Sequence, residues 1–170
     1  MKKTLLFIAL LLSTLSLAQN LTLNELISLR KMDLEDVESF LTKKGWNFKN
    51  GTEPQSDKLG SAIFVYGTDG DYEYAESFLN FYYSLDGTNR LSIQISKLNK
   101  YNEYLSAVKS FSPTLVKSSI ENDNLQKVYK GATTTFQFTT STANTRYGDT
   151  KASWGLFIVG NEDYETQYGY

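Results

Sequence analysis

Ser28 and Lys31, and again Ser106 and Lys109, stand at S-x-x-K spacing. On a helix this spacing brings an ammonium beside a hydroxyl, and the amine could take the proton that makes serine a nucleophile. Enzymes built this way also carry K-T-G and S-D-N elements; neither occurs in the chain, and both serines read as solvent-facing helix positions. There is no histidine and no cysteine. That removes Ser-His and Cys-His nucleophile systems, zinc sites of imidazole or thiolate, and iron–sulfur ligation. Carboxylate pairs remain possible, since a glycosidase needs only two at a fixed separation. The acids sit mainly in turns and helix caps, so no catalytic residue is assigned, and a small carboxylate-based envelope hydrolase is the alternative reading. Residues 68–76 (TDGDYEYAE) have the acidic density of a calcium loop. Counted from Asp69, however, glycine falls at the second position instead of the sixth, and the twelfth is Asn80, which is no bidentate ligand. The stretch reads as a solvated loop, and neither a metal nor a cofactor is expected.

Contact-making chemistry lies instead in alternation. Residues 91–96 (LSIQIS) and 133–140 (TTTFQFTT) alternate apolar and polar side chains, the signature of strands with one wet face. If Leu91, Ile93, Ile95, Phe136 and Phe138 point to the core, Ser92, Gln94, Ser96, Thr135, Gln137 and Thr139 point away. In residues 77–84 (SFLNFYYS) the same logic turns Leu79, Phe81 and Tyr83 inward, and Phe78, Asn80 and Tyr82 outward. Asn80, Tyr82, Ser92, Gln94, Thr135 and Gln137 therefore form the candidate binding face. Amides and hydroxyls mixed with tyrosine suit adaptable contacts with a protein or glycan partner.

These strands need elements to position them. Thr22 and Glu25 have capping-box spacing ahead of a first helix, and Asp33 can cap a second. Leu34, Val37, Phe40 and Leu41 form its apolar stripe, and Gly45 is placed to stop it in the left-handed conformation. As a DNA-binding helix pair it would present Asp33, Glu35, Asp36 and Glu38 to phosphates, which is repulsive, so no nucleic-acid partner is expected. A third helix is predicted from a cap at Asn99, with Tyr101, Tyr104, Leu105, Val108 and Phe111 on its buried side and Pro113 preventing its continuation. Strands are expected at 46–48, 61–66, 77–84 and 91–96, then at 114–117, 125–130, 133–140 and 154–159.

Each half thus reads as a helix followed by four strands. The expected class is α+β: two tandem helix-plus-four-strand antiparallel repeats, 22–97 and 99–160, forming a sheet with helices on one face. Residues 161–170 are left as a C-terminal tail.

Residues 1–18 have two lysines, an apolar run too short to span a bilayer, and small residues at Ser16 and Ala18. This is the pattern of a bacterial signal peptide, with a mature chain from Gln19 as one globular domain. No cysteine follows the run, so no lipid anchor is expected, and no later segment reaches membrane-spanning length. Losing Lys2 and Lys3 moves the formal charge from −2 to −4. The expected location is exported, periplasmic or secreted.

The opening pair, RKMDLEDVESFLTKKG, resembles the Gly-Met-Thr/Asp-x-x-x-Val onset of repeats in the β-lactamase-inhibitory-protein-like architecture. Arg30-Lys31 stands where that family has glycine, and the second half lacks both the methionine and the second short helix. The resemblance implies a fold and a general habit of binding protein partners; it carries no functional residue across. Together these features point to an exported, non-catalytic binding or interaction domain.

Overall fold

The computed structural model describes residues 21–68, 75–144 and 150–169. The expected leader and cleavage point, and most of the acidic stretch at 68–76, lie outside them.

The first helix, α1 (Leu23–Leu29), starts where the sequence places a capping box. The Glu25 amide donates to Thr22 Oγ1 at 3.2 Å, and the Thr22 amide donates to Glu25 Oε2 at 2.8 Å. In α2 (Leu34–Lys43), Asp33 accepts from the Asp36 amide at 2.9 Å, and Gly45 ends the turn at φ +83°. Of the predicted stripe in α2, Val37 and Leu41 are fully buried and Leu34 and Phe40 partly so, while α1 buries Leu26 and Leu29.

Helix α3 (Leu98–Ser110) begins one residue before the predicted cap. Lys97, not Asn99, is its N-cap, without a side-chain bond to the helix amides. Tyr101, Tyr104 and Val108 are buried; Phe111 ends the helix half-exposed.

Eight strands form one antiparallel sheet: β1 (Asn47–Thr52), β2 (Gly60–Tyr66), β3 (Ser77–Tyr83), β4 (Arg90–Ile95), β5 (Thr114–Glu121), β6 (Asn124–Lys130), β7 (Thr134–Asn144) and β8 (Thr150–Gly160). Their spatial order is β1-β2-β3-β4-β8-β7-β6-β5. Within each set of four, consecutive strands are antiparallel neighbours, and the β4–β8 pairing joins the two sets. Asn122 and Asp123, at φ +49° and +62°, make the two-residue hairpin between β5 and β6, with the backbone handedness that matches strand twist. Both outer strands carry a bulge, between Phe48 and Asn50 in β1 and between Leu115 and Lys117 in β5.

One side of the sheet packs against α1, α2 and α3. Phe64, Leu79, Phe81, Leu91, Ile93, Phe136, Phe138, Leu156 and Ile158 meet the helices there in a continuous core. Aromatic rings fill its second half: Tyr101 meets Phe138 edge-on at 5.5 Å, and Phe138 meets Tyr129 at 6.0 Å.

Residues 161–170, expected as a tail, contain a helix instead. This helix, α4 (Asn161–Tyr168), crosses to the opposite side of the sheet, so the expectation of helices on one face holds only for α1 to α3. Tyr164 packs there against Val128 and Val159 in a second, smaller core, with Phe157 at its margin. Sequence patterning missed α4 because its only large apolar residues are Tyr164 and Tyr168, too few for a stripe. Among the described residues no helix is long and apolar enough to cross a membrane.

A candidate binding hollow on the polar side of the sheet

Strand register decides which polar residues become neighbours. Asn80 pairs with Ser92, Tyr82 with Arg90, and Phe78 with Gln94; Phe157 pairs with Ser92 on one side and Gln137 on the other. Directly paired residues share a face, so the predicted face residues all belong to the side opposite the three-helix core. Three of them, Tyr82, Ser92 and Gln137, converge on a hollow of about 370 Å³ completed by Arg90, Thr139, Phe157 and Tyr168.

The other three are placed differently. Asn80 sits beside the hollow, donating to the Tyr82 hydroxyl at 3.5 Å, and its Oδ1 is buried with no hydrogen-bond partner among the described residues. Gln94 is exposed and donates to Ser153 Oγ at 3.3 Å, outside the lining. Thr135 departs from the expectation of a solvent-facing residue: it is 1 % exposed. The start of α4 covers it, and its hydroxyl donates to Asn161 Oδ1 at 2.9 Å. The Asn161 side-chain nitrogen in turn reaches the Gly131 and Ala132 carbonyls at 3.1 and 3.2 Å, tying the β6–β7 turn to the end of β8. Thr135 is therefore a structural support, and the binding face loses it.

Helix α4 makes the hollow. Arg90 clamps Asp163 through Nε at 2.7 Å and Nη2 at 2.8 Å, and Lys130 bonds Glu165 on the far side. Charges at β4 and β6 thus hold α4 across the sheet. The Tyr164 and Tyr168 rings lie 4.7 Å apart, which stands Tyr168 up as the wall of the hollow. Arg90, Phe157 and Tyr168 are lining residues that the strand reading did not select. Extending the alternation back from Ser92 would have found Arg90, and carrying it through residues 154–159 would have found Phe157. For α4 the signals were acids in the first turn, Glu162 and Asp163, and Gly169, which stops the helix at φ +68°.

A second cavity, about 410 Å³, lies at the adjoining end of the sheet between Arg30, Gly87, Thr88, Asn89, Gly160, Glu162, Asp163 and Thr166. Burial pushes the Arg30 guanidinium down from its ordinary range, while the nearby Asp163 carboxylate acts in the opposite direction. Both Asp163 oxygens are already engaged by Arg90. Ser28, Lys31, Ser106 and Lys109, the two S-x-x-K pairs, are all exposed. Among the described residues no three acidic side chains gather as metal ligands would.

The chain matches no protein-family model, no curated protein and no solved structure.

Proposed function

We propose that the protein is an exported, non-catalytic binding domain that meets a protein or glycan through the polar side of its sheet. The observation carrying this reading is the composition of the 370 Å³ hollow. Tyr82, Phe157 and Tyr168 offer aromatic surface, while Ser92, Gln137 and Thr139 can both donate and accept hydrogen bonds. Aromatic surface with a few convergent polar groups is the usual make-up of a ligand site. The cation at its edge, Arg90, has two donors committed to Asp163, which favours a neutral or adaptable contact over capture of a strong anion. Export rests on the leader at residues 1–18.

The test is capture from envelope extract with the mature chain and with Gln137→Lys, which puts a charge into the floor of the hollow. A partner recovered by the parent and lost by the folded variant supports the reading. Equal recovery by both removes the hollow from recognition. Intact mass of the exported protein should correspond to a chain beginning at Gln19.

Duplication of a helix-plus-four-strand unit is part of the same proposal. Its support is that equivalent registers recur in the two halves. Phe64 pairs with Leu79 and Leu79 with Ile93; Tyr129 pairs with Phe136 and Phe136 with Ile158. The bulge in β1 follows the residue paired to Phe64, and the bulge in β5 follows the residue paired to Tyr129.

A further inference from the structure

The two open sides of the sheet differ. On β1 the edge reads NFKNGT, with a lysine, two asparagines, a glycine and a bulge, all devices that discourage strand pairing. Its one large apolar side chain, Phe48, already meets the Phe64 ring edge-on at 5.8 Å. The β5 edge is longer. It too has a lysine and a bulge, but the bulge ends at Lys117 and leaves residues 117–121 in regular register. This edge also exposes more apolar surface. Leu115, Val116 and Ile120 are exposed along it, Ile120 by 76 %, with Leu125 and Phe111 exposed alongside. Such concentration on a sheet edge marks an interaction surface.

The sequence of β5 says what covers it. Lys117, Ser119 and Glu121 share one face, paired with Val128, Gln126 and Asn124, while Ile120 lies on the other face beside Leu125. We propose that β5 pairs antiparallel with β5 of a second copy, about a two-fold axis through Ser119, joining two sheets into one. In this register Lys117 faces Glu121 of the second copy, and the reverse, so the strand is its own electrostatic complement. An axis through Lys117 or Glu121 would set like charges against each other, and one through Ser118 would leave both charges opposite neutral residues. The ion pair that Lys117 and Glu121 already form within the strand, at 2.6 Å, becomes part of a four-charge group. On the other face the two apolar patches at Ile120 merge. An edge contact of this kind is smaller than a standard interface of about 1,600 Å², so the dimer is weak and concentration-dependent. Because the axis is normal to the sheet, both polar hollows face the same way, and a surface carrying repeated ligands would be gripped twice.

Sedimentation of the mature chain from about 5 to about 500 µM should show a monomer passing into a dimer, the span expected for a contact of this strength. Lys117→Glu and Glu121→Lys should each stay monomeric over the same range, with circular dichroism verifying that they fold. Mixed in equal amounts, the two variants should recover the dimer, because each supplies the charge that the other has inverted. A Ser119→Cys variant, in a chain with no other cysteine, should oxidise to a covalent dimer, whereas Ser118→Cys should not. A parent protein that remains monomeric throughout, or a mixture that fails to dimerise although both variants fold, overturns the proposal. So does a Ser119→Cys variant that cross-links no faster than Ser118→Cys. Capture of a foreign strand by a monomeric parent would assign the edge to another protein and likewise overturn self-pairing.

Discussion

Arg90 at the start of β4 and Asp163 in the first turn of α4 are joined by two parallel hydrogen bonds, 2.7 and 2.8 Å long, across 73 residues of chain. The pair is mostly shielded from solvent, each side chain less than one fifth exposed. It fastens α4 over the sheet and with it the Tyr168 wall of the hollow. Asp163→Asn should therefore cost about 1.5–3 kcal/mol, the range for hydrogen bonds to charged groups. Urea unfolding measures the loss, and faster hydrogen exchange at the amides of α4 shows where it acts. An unchanged midpoint and unchanged exchange would mean that Tyr164 packing alone holds the helix.

Tyr164 is the apolar anchor of α4, 5 % exposed against Val128 and Val159. Tyr164→Ala should cost about 3 kcal/mol through lost burial and the cavity left behind. Removing 161–170 should do at least as much harm, since it also uncovers Thr135. If these residues were a dispensable tail, thermal melting of the truncated chain would match the parent.

Sheet orientation gives opposite expectations for neighbouring residues. Ile93 and Phe138 are buried in the three-helix core, while Gln94 is exposed on the other face. Ile93→Ala or Phe138→Ala should cost about 2–5 kcal/mol. Gln94→Lys should stay within about 0.5 kcal/mol of the parent. Thermal unfolding of the three variants distinguishes them, and a reversed ranking would mean the faces are exchanged.

Tyr104 of α3 is buried and donates to the Leu21 carbonyl at 2.8 Å. Burial pushes its phenol far up, and the Glu103 and Glu25 carboxylates add to the shift. In the unfolded chain the group ionises near the usual tyrosine value of about 10, whereas in the folded protein it keeps its proton well above that. The unfolded state therefore binds fewer protons above pH 10, and stability should fall as pH rises through and beyond that value. Tyr104→Phe should shallow that alkaline decline. At neutral pH it should cost about 1–3 kcal/mol, because the Leu21 carbonyl is left unpaired. Unfolding midpoints between pH 7 and about 11 test both parts.

Local rules sufficed for much of the molecule. The cap at Thr22, the cap at Asp33 and the stop at Gly45 are decided by residues within one turn. Period-2 alternation placed Ile93 and Phe138 inside and Tyr82, Ser92 and Gln137 on the opposite face, because successive strand side chains must point to opposite sides. Alternation names a face, though, not what lies over it. Thr135 obeys the period and is still buried, since α4 docks above it. Docking depends on Arg90, Lys130, Val128 and Val159, which approach α4 only after four strands have paired in register. The adjacency of β4 and β8, 59 residues apart at the Ser153–Gln94 bond, is likewise a property of the closed sheet. The polar face was therefore legible in sequence. The hollow became visible only in the tertiary structure, because its wall comes from a helix whose own residues carry too little apolar pattern to announce it.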